Sequence, residues 1–300
     1  MVQTPAPLQI VGAMRTDPGL VRPLNEDSVA WVTPQDEDIA NSRGSLALVA
    51  DGMGGHAAGE VASALAADVV RRIYYDLDGP VPRVLAKAFA AANQAILDHA
   101  ADHPECRGMG TTCTVLAFRD GKAWLAHIGD SRAYLLRDRE LIQLSEDQTL
   151  VAKLVSEGTM TQEEAELSPV SNVILQALGT SNQIKPMIGT SGLPLVVGDV
   201  LVLCSDGICK LVPDATIADI AGRLPPQEAC DALIKAALAA GGHDNASLGV
   251  FNVTTGTEQK RAVEPKTRRI KLPILDERRA SRIVTPSGSR AGQAPDHRAP

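Results

Sequence analysis

Three hundred residues suffice for one large domain or two ordinary ones, and 44% apolar against 22% charged residues is the balance of a soluble globular chain. Aromatics are only 3%, too few for nucleic-acid stacking platforms, and no apolar run approaches the roughly 18 residues that cross a bilayer, so neither nucleic acid nor membrane is expected as a partner. The net charge of −7 is uneven: residues 254–300 carry 11 Lys/Arg against 5 Asp/Glu, or +6, which leaves −13 on residues 1–253, a body that wants a bound cation or a basic partner.

In chain order, Leu8–Met14 reads as a strand closed by the turn Thr16-Asp17-Pro18-Gly19. Arg22–Asp27 (RPLNED) then sets a cation and two acids before a strand at Ser28–Val32. Ser45–Glu60 (SLALVADGMGGHAAGE) organises the rest. Leu46–Asp51 reads as a buried strand ending on a carboxylate, Gly52, Gly54 and Gly55 as a bare turn, and Ala57 onward as a helix. Val61, Leu65, Val69 and Ile73 mark the predicted inner face of that helix, and Leu85, Phe89, Ala92 and Ile96 that of a second one with Pro82 near its start. Thr111–Arg119, Lys122–Ile128 and Ser131–Arg137, separated by tight turns, predict an antiparallel meander. A polar insertion over 145–170 predicts a surface flap, with a helix at Leu150–Glu157 stopped by Gly158 and a capping box at Thr161 and Glu164. Strands at Asn172–Leu178, Met187–Gly192 and Val200–Cys204 follow. A last helix, Gln227–Ala239, with Leu233, Ala237 and Ala240 on one face, precedes a closing strand at Ala246–Val253.

This order does not alternate as a parallel βαβ series would. It predicts an α+β fold, two antiparallel sheets stacked between helix layers, over residues 1–253. After Val253 the texture turns to Pro, Ser, Arg and Thr without an aromatic, which predicts a disordered basic tail over 254–300.

Five strand ends carry acids: Glu26-Asp27, Asp51, Asp130, Asp206 and Asp244. Carboxylates gathered at one rim repel unless cations sit between them, and oxygen donors such as these, with the Gly52 carbonyl, suit Mg²⁺ or Mn²⁺ better than zinc. Asn25, Asn245 and Ser205 read as turn-formers or supports of these acids, and His127 and His243 as packing residues. The five cysteines, odd in number and without zinc spacing, read as free thiols of a reducing cytosol, and with no secretory leader visible the expected location is cytoplasmic. Cys113 and Arg119 share the Cys-x5-Arg spacing of tyrosine phosphatases, but the intervening TVLAF has no glycine and cannot curl its amides around a phosphate.

Thr16-Asp17-x-Gly19-x-x-Arg22-x-x-Asn25-Glu26-Asp27-Ser28, Asp51-Gly52-Met53-Gly54-Gly55, Met109-Gly110-Thr111-Thr112, Gly129-Asp130-Ser131-Arg132, Ser205-Asp206-Gly207 and Asp244-Asn245 occur in the order seen in one family. The chain resembles bacterial metal-dependent serine/threonine protein phosphatases of the type 2C (PPM) family, from about residue 10 to 253. The resemblance implies a four-layer αββα sandwich with two Mn²⁺ or Mg²⁺ ions at one end, and hydrolysis of phosphoserine or phosphothreonine by direct attack of a metal-bridging hydroxide. It implies that Asp51 bridges both ions, that the Gly52 carbonyl ligates one, that Asp206 and Asp244 complete the other shell with Glu26 and Asp27 nearby, and that Asp130 helps hold a weaker third ion. Arg22 matches the residue that grips the substrate phosphate. Phosphoproteins are the implied substrates, and a bacterial Ser/Thr kinase the implied partner. Met53 stands where eukaryotic members carry a histidine proposed as general acid; His56 is the candidate to replace it, or it caps the helix. Asp147-Gln148 and Ser168-Pro169 stand where many bacterial relatives read Asp-His and His-Pro, and Cys209-Lys210 where relatives often carry an acid.

Overall fold

Residues 8–54 and 58–255 are described by a computed structural model. Short apolar runs ending at turn residues give the strands, and two long Ala-rich amphipathic stretches give the major helices of the first half. The chain runs β1 (Leu8–Asp17), β2 (Asp27–Val32), α1 (Glu37–Arg43), β3 (Ser45–Met53), α2 (Ala58–Asp76) and α3 (Val81–Asp102). It continues through β4 (Gly110–Thr111), β5 (Cys113–Arg119), β6 (Lys122–Ile128), β7 (Arg132–Arg137), β8 (Glu140–Gln143), α4 (Leu150–Ser156) and α5 (Gln162–Glu166). β9 (Met187–Ile188), β10 (Leu193–Pro194), β11 (Val200–Cys204), α6 (Asp206–Cys209), α7 (Asp214–Arg223), α8 (Pro226–Ala239) and β12 (Ala246–Thr255) complete it.

One sheet has the order β1-β12-β11-β7-β8. The other has β10-β6-β5-β3-β2, with β4 on β3 and β9 on β6. Every strand pairing in them is antiparallel. Three apolar layers hold the sandwich together. Leu46, Leu48 and Val115 face α2 and α3 on one outside, and Val202, Leu248 and Val250 face α7 and α8 on the other. Between the sheets lie Ala47, Val49, Leu116, Leu201, Leu203 and Phe251. Three of the scarce aromatics meet there, Trp31, Phe118 and Phe251, with ring centroids 4.8 to 5.9 Å apart. Phe251, fully buried, contributes on the order of 2–3 kcal/mol by its burial. Gly12, its cross-strand partner, and Gly249 leave the space its ring occupies.

Several expectations change. The predicted meander is split: β5 and β6 pair, but β7 joins the other sheet between β11 and β8. Gly129, at φ 109°, and the two residues after it lead the chain from one sheet to the other. β3 does not stop at Asp51 but continues to Met53, because Gly52 and Met53 pair with Thr111 and Gly110. The buried stripe of α2 is Ala58, Ala62, Ala66 and Val70, while Val61, Leu65 and Ile73 are half-buried flanks. Small side chains are what let this helix lie close on the sheet and on α3. In α3 the predicted face holds, with Leu85, Phe89, Ala92 and Ile96 fully buried.

Asn172–Leu178 is not a strand. It touches the frame through isolated bridges, Thr149 with Ile174 and Thr111 with Leu178, and it exposes Val173 and Leu175. Met187–Gly192 reduces to the two-residue strand β9, and Ala240 lies past the end of α8, exposed. His127 packs as expected, buried between the Thr114 hydroxyl and the Glu146 carbonyl, whereas His243 is exposed. α1, β8 and α7 were not predicted; the Asp36 cap and Gly44 stop of α1 were readable signals. The capping box of α5 and the Gly158 stop after α4 are present. Gly55, His56 and Ala57, where the turn and the helix start were expected, and residues 256–300 lie outside the described residues.

Candidate active site

Both sheets end their strands at one edge of the sandwich, and the acids come from both. Asp27 and Asp51 are cross-strand partners where β2 meets β3. Asp206 opens α6 directly after β11, Asp244 lies just before β12, and Asp130 lies in the crossing from β6 to β7. Backbone fixation of Asp51 is dense. Its N–H donates to Thr112 Oγ1 (3.0 Å), and its carbonyl accepts from the Thr112 N–H and the Thr111 hydroxyl, each at 2.9 Å. The next residue must be glycine. A side chain at Gly52 would collide with the backbone oxygens of Gly59 and Glu26.

The opposite wall is equally built. Asn245 accepts from the Glu26 N–H (2.8 Å) and donates to the Pro18 and Leu24 carbonyls, both at 2.9 Å. It thereby pins the Arg22-bearing loop against the turn that carries Asp244. Gly19, at φ 77°, runs so near the Asp244 carbonyl that a Cβ would not fit. Arg22 Nη2 donates to Asp244 Oδ2 at 2.8 Å, with the guanidinium about half exposed. Asn25 accepts from the Asp27 N–H, and Ser205 Oγ donates to Asp27 Oδ2 at 2.9 Å while accepting from the Ser247 N–H. Asn25, Asn245 and Ser205 are thus the supports the sequence suggested.

A cavity of about 200 Å³ opens among Arg22, Glu26, Asp51, Asp130, Asp206 and Asp244, with Gly52 on its wall. Asp27 lies behind it, almost fully buried. Lys210 was not singled out as a site residue. Its ammonium reaches Asp206 Oδ2 (2.8 Å), Asp130 Oδ2 (2.9 Å) and Asn172 Oδ1 (3.0 Å). The i,i+4 spacing of Asp206 and Lys210 was the one readable sign of it.

These groups fit divalent cations. The carboxylate oxygens Asp27 Oδ1, Asp130 Oδ1 and Asp206 Oδ1 are buried without a hydrogen-bond partner, which is costly for a charged group. Burial, only partly offset by hydrogen bonds from Ser247 and Ser205, pushes the Asp27 carboxyl up to about 7. Burial and then the charges of Asp27, Asp206 and Asp130 hold Asp51 well above the usual carboxylate range. Asp130 and Glu26 are raised too, each chiefly by burial. Crowded anions without enough positive charge behave this way. Among the described residues no three His, Cys, Asp or Glu side chains form a preset metal cage. Arg22 and Lys210 occupy oxygens of three of the acids.

The family model for protein phosphatase 2C matches residues 22–239. The chain belongs to the protein phosphatase 2C family. Among curated family members it is 42% identical over 244 residues to the serine/threonine protein phosphatase PstP of Mycobacterium tuberculosis, an alignment covering 80% of this chain and 44% of that protein. The chain therefore spans less than half the length of that relative. It is 36% identical over 247 residues to the protein phosphatase PhpP of Streptococcus pneumoniae, covering 80% of this chain and 96% of that one. Among solved structures, the PstP catalytic domain in complex with two manganese ions superposes with a TM-score of 0.72 at 40% identity, covering 83% of this chain and all of that one. The αββα layering expected from the motifs is thus the family's fold. The contributions that escaped the sequence are those of supporting hydroxyls: Thr111, Thr112 and Ser131 were visible in motifs without a role, and Ser247 carried no signal.

Proposed function

We propose that this chain is a metal-dependent phosphoprotein phosphatase that hydrolyses phosphoserine and phosphothreonine. One observation carries the reading: five carboxylates and an arginine surround a single 200 Å³ cavity, a sixth carboxylate lies behind it, and three carboxylate oxygens are buried without partners. Asp51, Asp206, Asp244, Glu26, Asp27 and the Gly52 carbonyl would hold Mn²⁺ or Mg²⁺. Bound there, paired divalent ions supply a water acidic enough to attack phosphorus near neutral pH and offset charge on the phosphoryl oxygens.

The chain's own groups do the rest. Arg22, half exposed at the mouth, can turn its planar fork from Asp244 to two oxygens of a phosphate monoester and fix the phosphorus for in-line attack. The hydroxyls of Thr111 and Thr112 keep the Asp51 backbone from shifting as charge changes beside it. Asn245 holds the Arg22 loop at a fixed height over the acids. No side chain among these groups is set up as a covalent nucleophile: Cys204 and Cys209 are buried, and neighbouring Cys204 and burial hold the Cys209 thiol far above its usual range.

The test is hydrolysis of a phosphothreonine peptide by the full chain with Mn²⁺, lost in Asp206→Ala. Turnover that survives excess chelator would refute the reading. Among relatives, the two named above are called protein phosphatases, which supports a phosphoprotein substrate here. We also infer a cytoplasmic setting opposite a Ser/Thr kinase, with the basic residues 254–300 as a tether for that kinase or another acidic partner. Unchanged partner binding after deletion of 254–300 would remove the tether.

A further inference from the structure

We infer that Lys210 is a tethered cation that takes the place of a divalent ion between Asp130 and Asp206 and latches the flap to the site. This rests on the proposed metal-dependent reading. An ammonium group has three N–H donors, and all three are spent: on Asp206 Oδ2 at 2.8 Å, Asp130 Oδ2 at 2.9 Å and Asn172 Oδ1 at 3.0 Å. Asp130 is 2% exposed, so the ammonium is the direct counter-ion of a carboxylate that water hardly reaches. A divalent ion bridging the same two oxygens would need them at about 2.0–2.2 Å, a place the Nζ atom already fills.

Charge balance agrees. Glu26, Asp27, Asp51, Asp130, Asp206 and Asp244 bring six negative charges, and Arg22 and Lys210 return two. The deficit of four positive charges is that of two divalent ions. A third would leave the site with a net positive charge of two. The ion expected at Asp130 from the family resemblance is therefore, in this chain, a lysine. The same side chain reaches across to the segment that closes the flap, at Asn172. Asn172 lies in the segment that follows α5, where Leu150 and Leu175 N–H groups donate to Val173 and Gln148 carbonyls, so the ammonium joins this segment to two acids of the centre. Lys210 is a positioning residue in this account, acting through Asp130 and Asp206.

The full chain, stripped by chelator, is titrated with Mn²⁺ by calorimetry, and its melting temperature is read with and without the metal. Wild type is expected to take up two equivalents. Lys210→Met should take up a third, weaker equivalent, and its metal-free form should melt roughly 3–10 °C below wild type, because Asp130 and Asp206 are left uncompensated. Mn²⁺ should close most of that gap. Lys210→Arg should return the count to two, and Asp130→Asn in the wild-type background should leave it at two. A third equivalent in wild type, or one lost on Asp130→Asn, would overturn the assignment while sparing the metal-dependent reading. Two equivalents in both Lys210→Met and wild type would overturn it as well. Wild type that binds no Mn²⁺ would refute the underlying reading.

Discussion

Thr112→Val keeps the shape of a fully buried side chain and removes one oxygen. That oxygen accepts from the Asp51 N–H at 3.0 Å and shares a 2.8 Å hydrogen bond with the Ser131 hydroxyl. Both Thr112 and Ser131 are 0% exposed, so water cannot replace the lost partner. Two buried polar groups are then unsatisfied, at about 1–3 kcal/mol each, or near 3 kcal/mol together. For a domain of this size that corresponds to a fall of roughly 6–12 °C in melting temperature. The loss also falls on the residue beneath the proposed metals. A displaced Asp51 should lower phosphopeptide kcat by more than stability alone explains, since a misplacement near 1 Å can cost about 100-fold. Circular dichroism melts in chelator and steady-state kinetics in Mn²⁺, both compared with Thr112→Ser, give the two readouts. If Thr112→Val melts and turns over like Thr112→Ser, the hydroxyl is not what holds Asp51 and the account of that wall is wrong.

Three further outcomes are expected. Arg22→Ala should lower kcat/KM on a phosphothreonine peptide by about 10–100-fold, the worth of a charge-assisted hydrogen bond at 1.5–3 kcal/mol, and Arg22→Lys should recover only part of it; stopped assays over a range of substrate check this. In metal-free protein the Asp27 carboxyl, raised by burial to about 7 from an unfolded value near 3.9, keeps a proton that the unfolded chain has released. Stability should therefore fall as pH rises from about 4 to 7, and urea melts at several pH values should show that slope, flattened by saturating Mn²⁺. At a free Mn²⁺ concentration 100 times the dissociation constant, one site should add about 2.7 kcal/mol to unfolding, measured as a shift of the urea midpoint that excess chelator reverses.

The acids of the site were legible in the sequence because they recur at the ends of apolar runs, whereas Lys210 was not. Glu26, Asp27, Asp51, Asp206 and Asp244 each follow or precede an apolar run, and the structure sets them around or just behind one cavity. The supports were harder to read. Thr112 and Ser131 act through a hydroxyl pair that joins residues 19 positions apart, and nothing local marks such a pair. The helix face of α2 was misread as well. Of the predicted face only Val69 is buried; Val61, Leu65 and Ile73 flank a stripe in which Ala58, Ala62 and Ala66 lie against the sheet and α3 with Val70. Asn172–Leu178 carries the short apolar run Val173–Leu175 of a strand, yet it makes only single bridges, to Thr149 and Thr111, and pairing is decided by the rest of the chain.

The placement of the acids has a mechanical consequence. Asp27 and Asp51 belong to the sheet that carries α2 and α3, whereas Asp206 and Asp244 flank strands of the sheet that carries α7 and α8. Without added positive charge these groups repel across the seam between the sheets. The Asp27–Ser205 and Glu26–Asn245 hydrogen bonds are two of the direct polar links that oppose this repulsion. A divalent ion held by acids of both sheets would draw the same seam together, and metal binding and closure of the sandwich edge would then share one free energy. Lys210, by neutralising part of the Asp206 and Asp130 charge from within the chain, lowers the repulsion that remains when no metal is bound. The edge can then stay closed, with its Asp51 wall already locked by Thr111 and Thr112, before the first ion arrives.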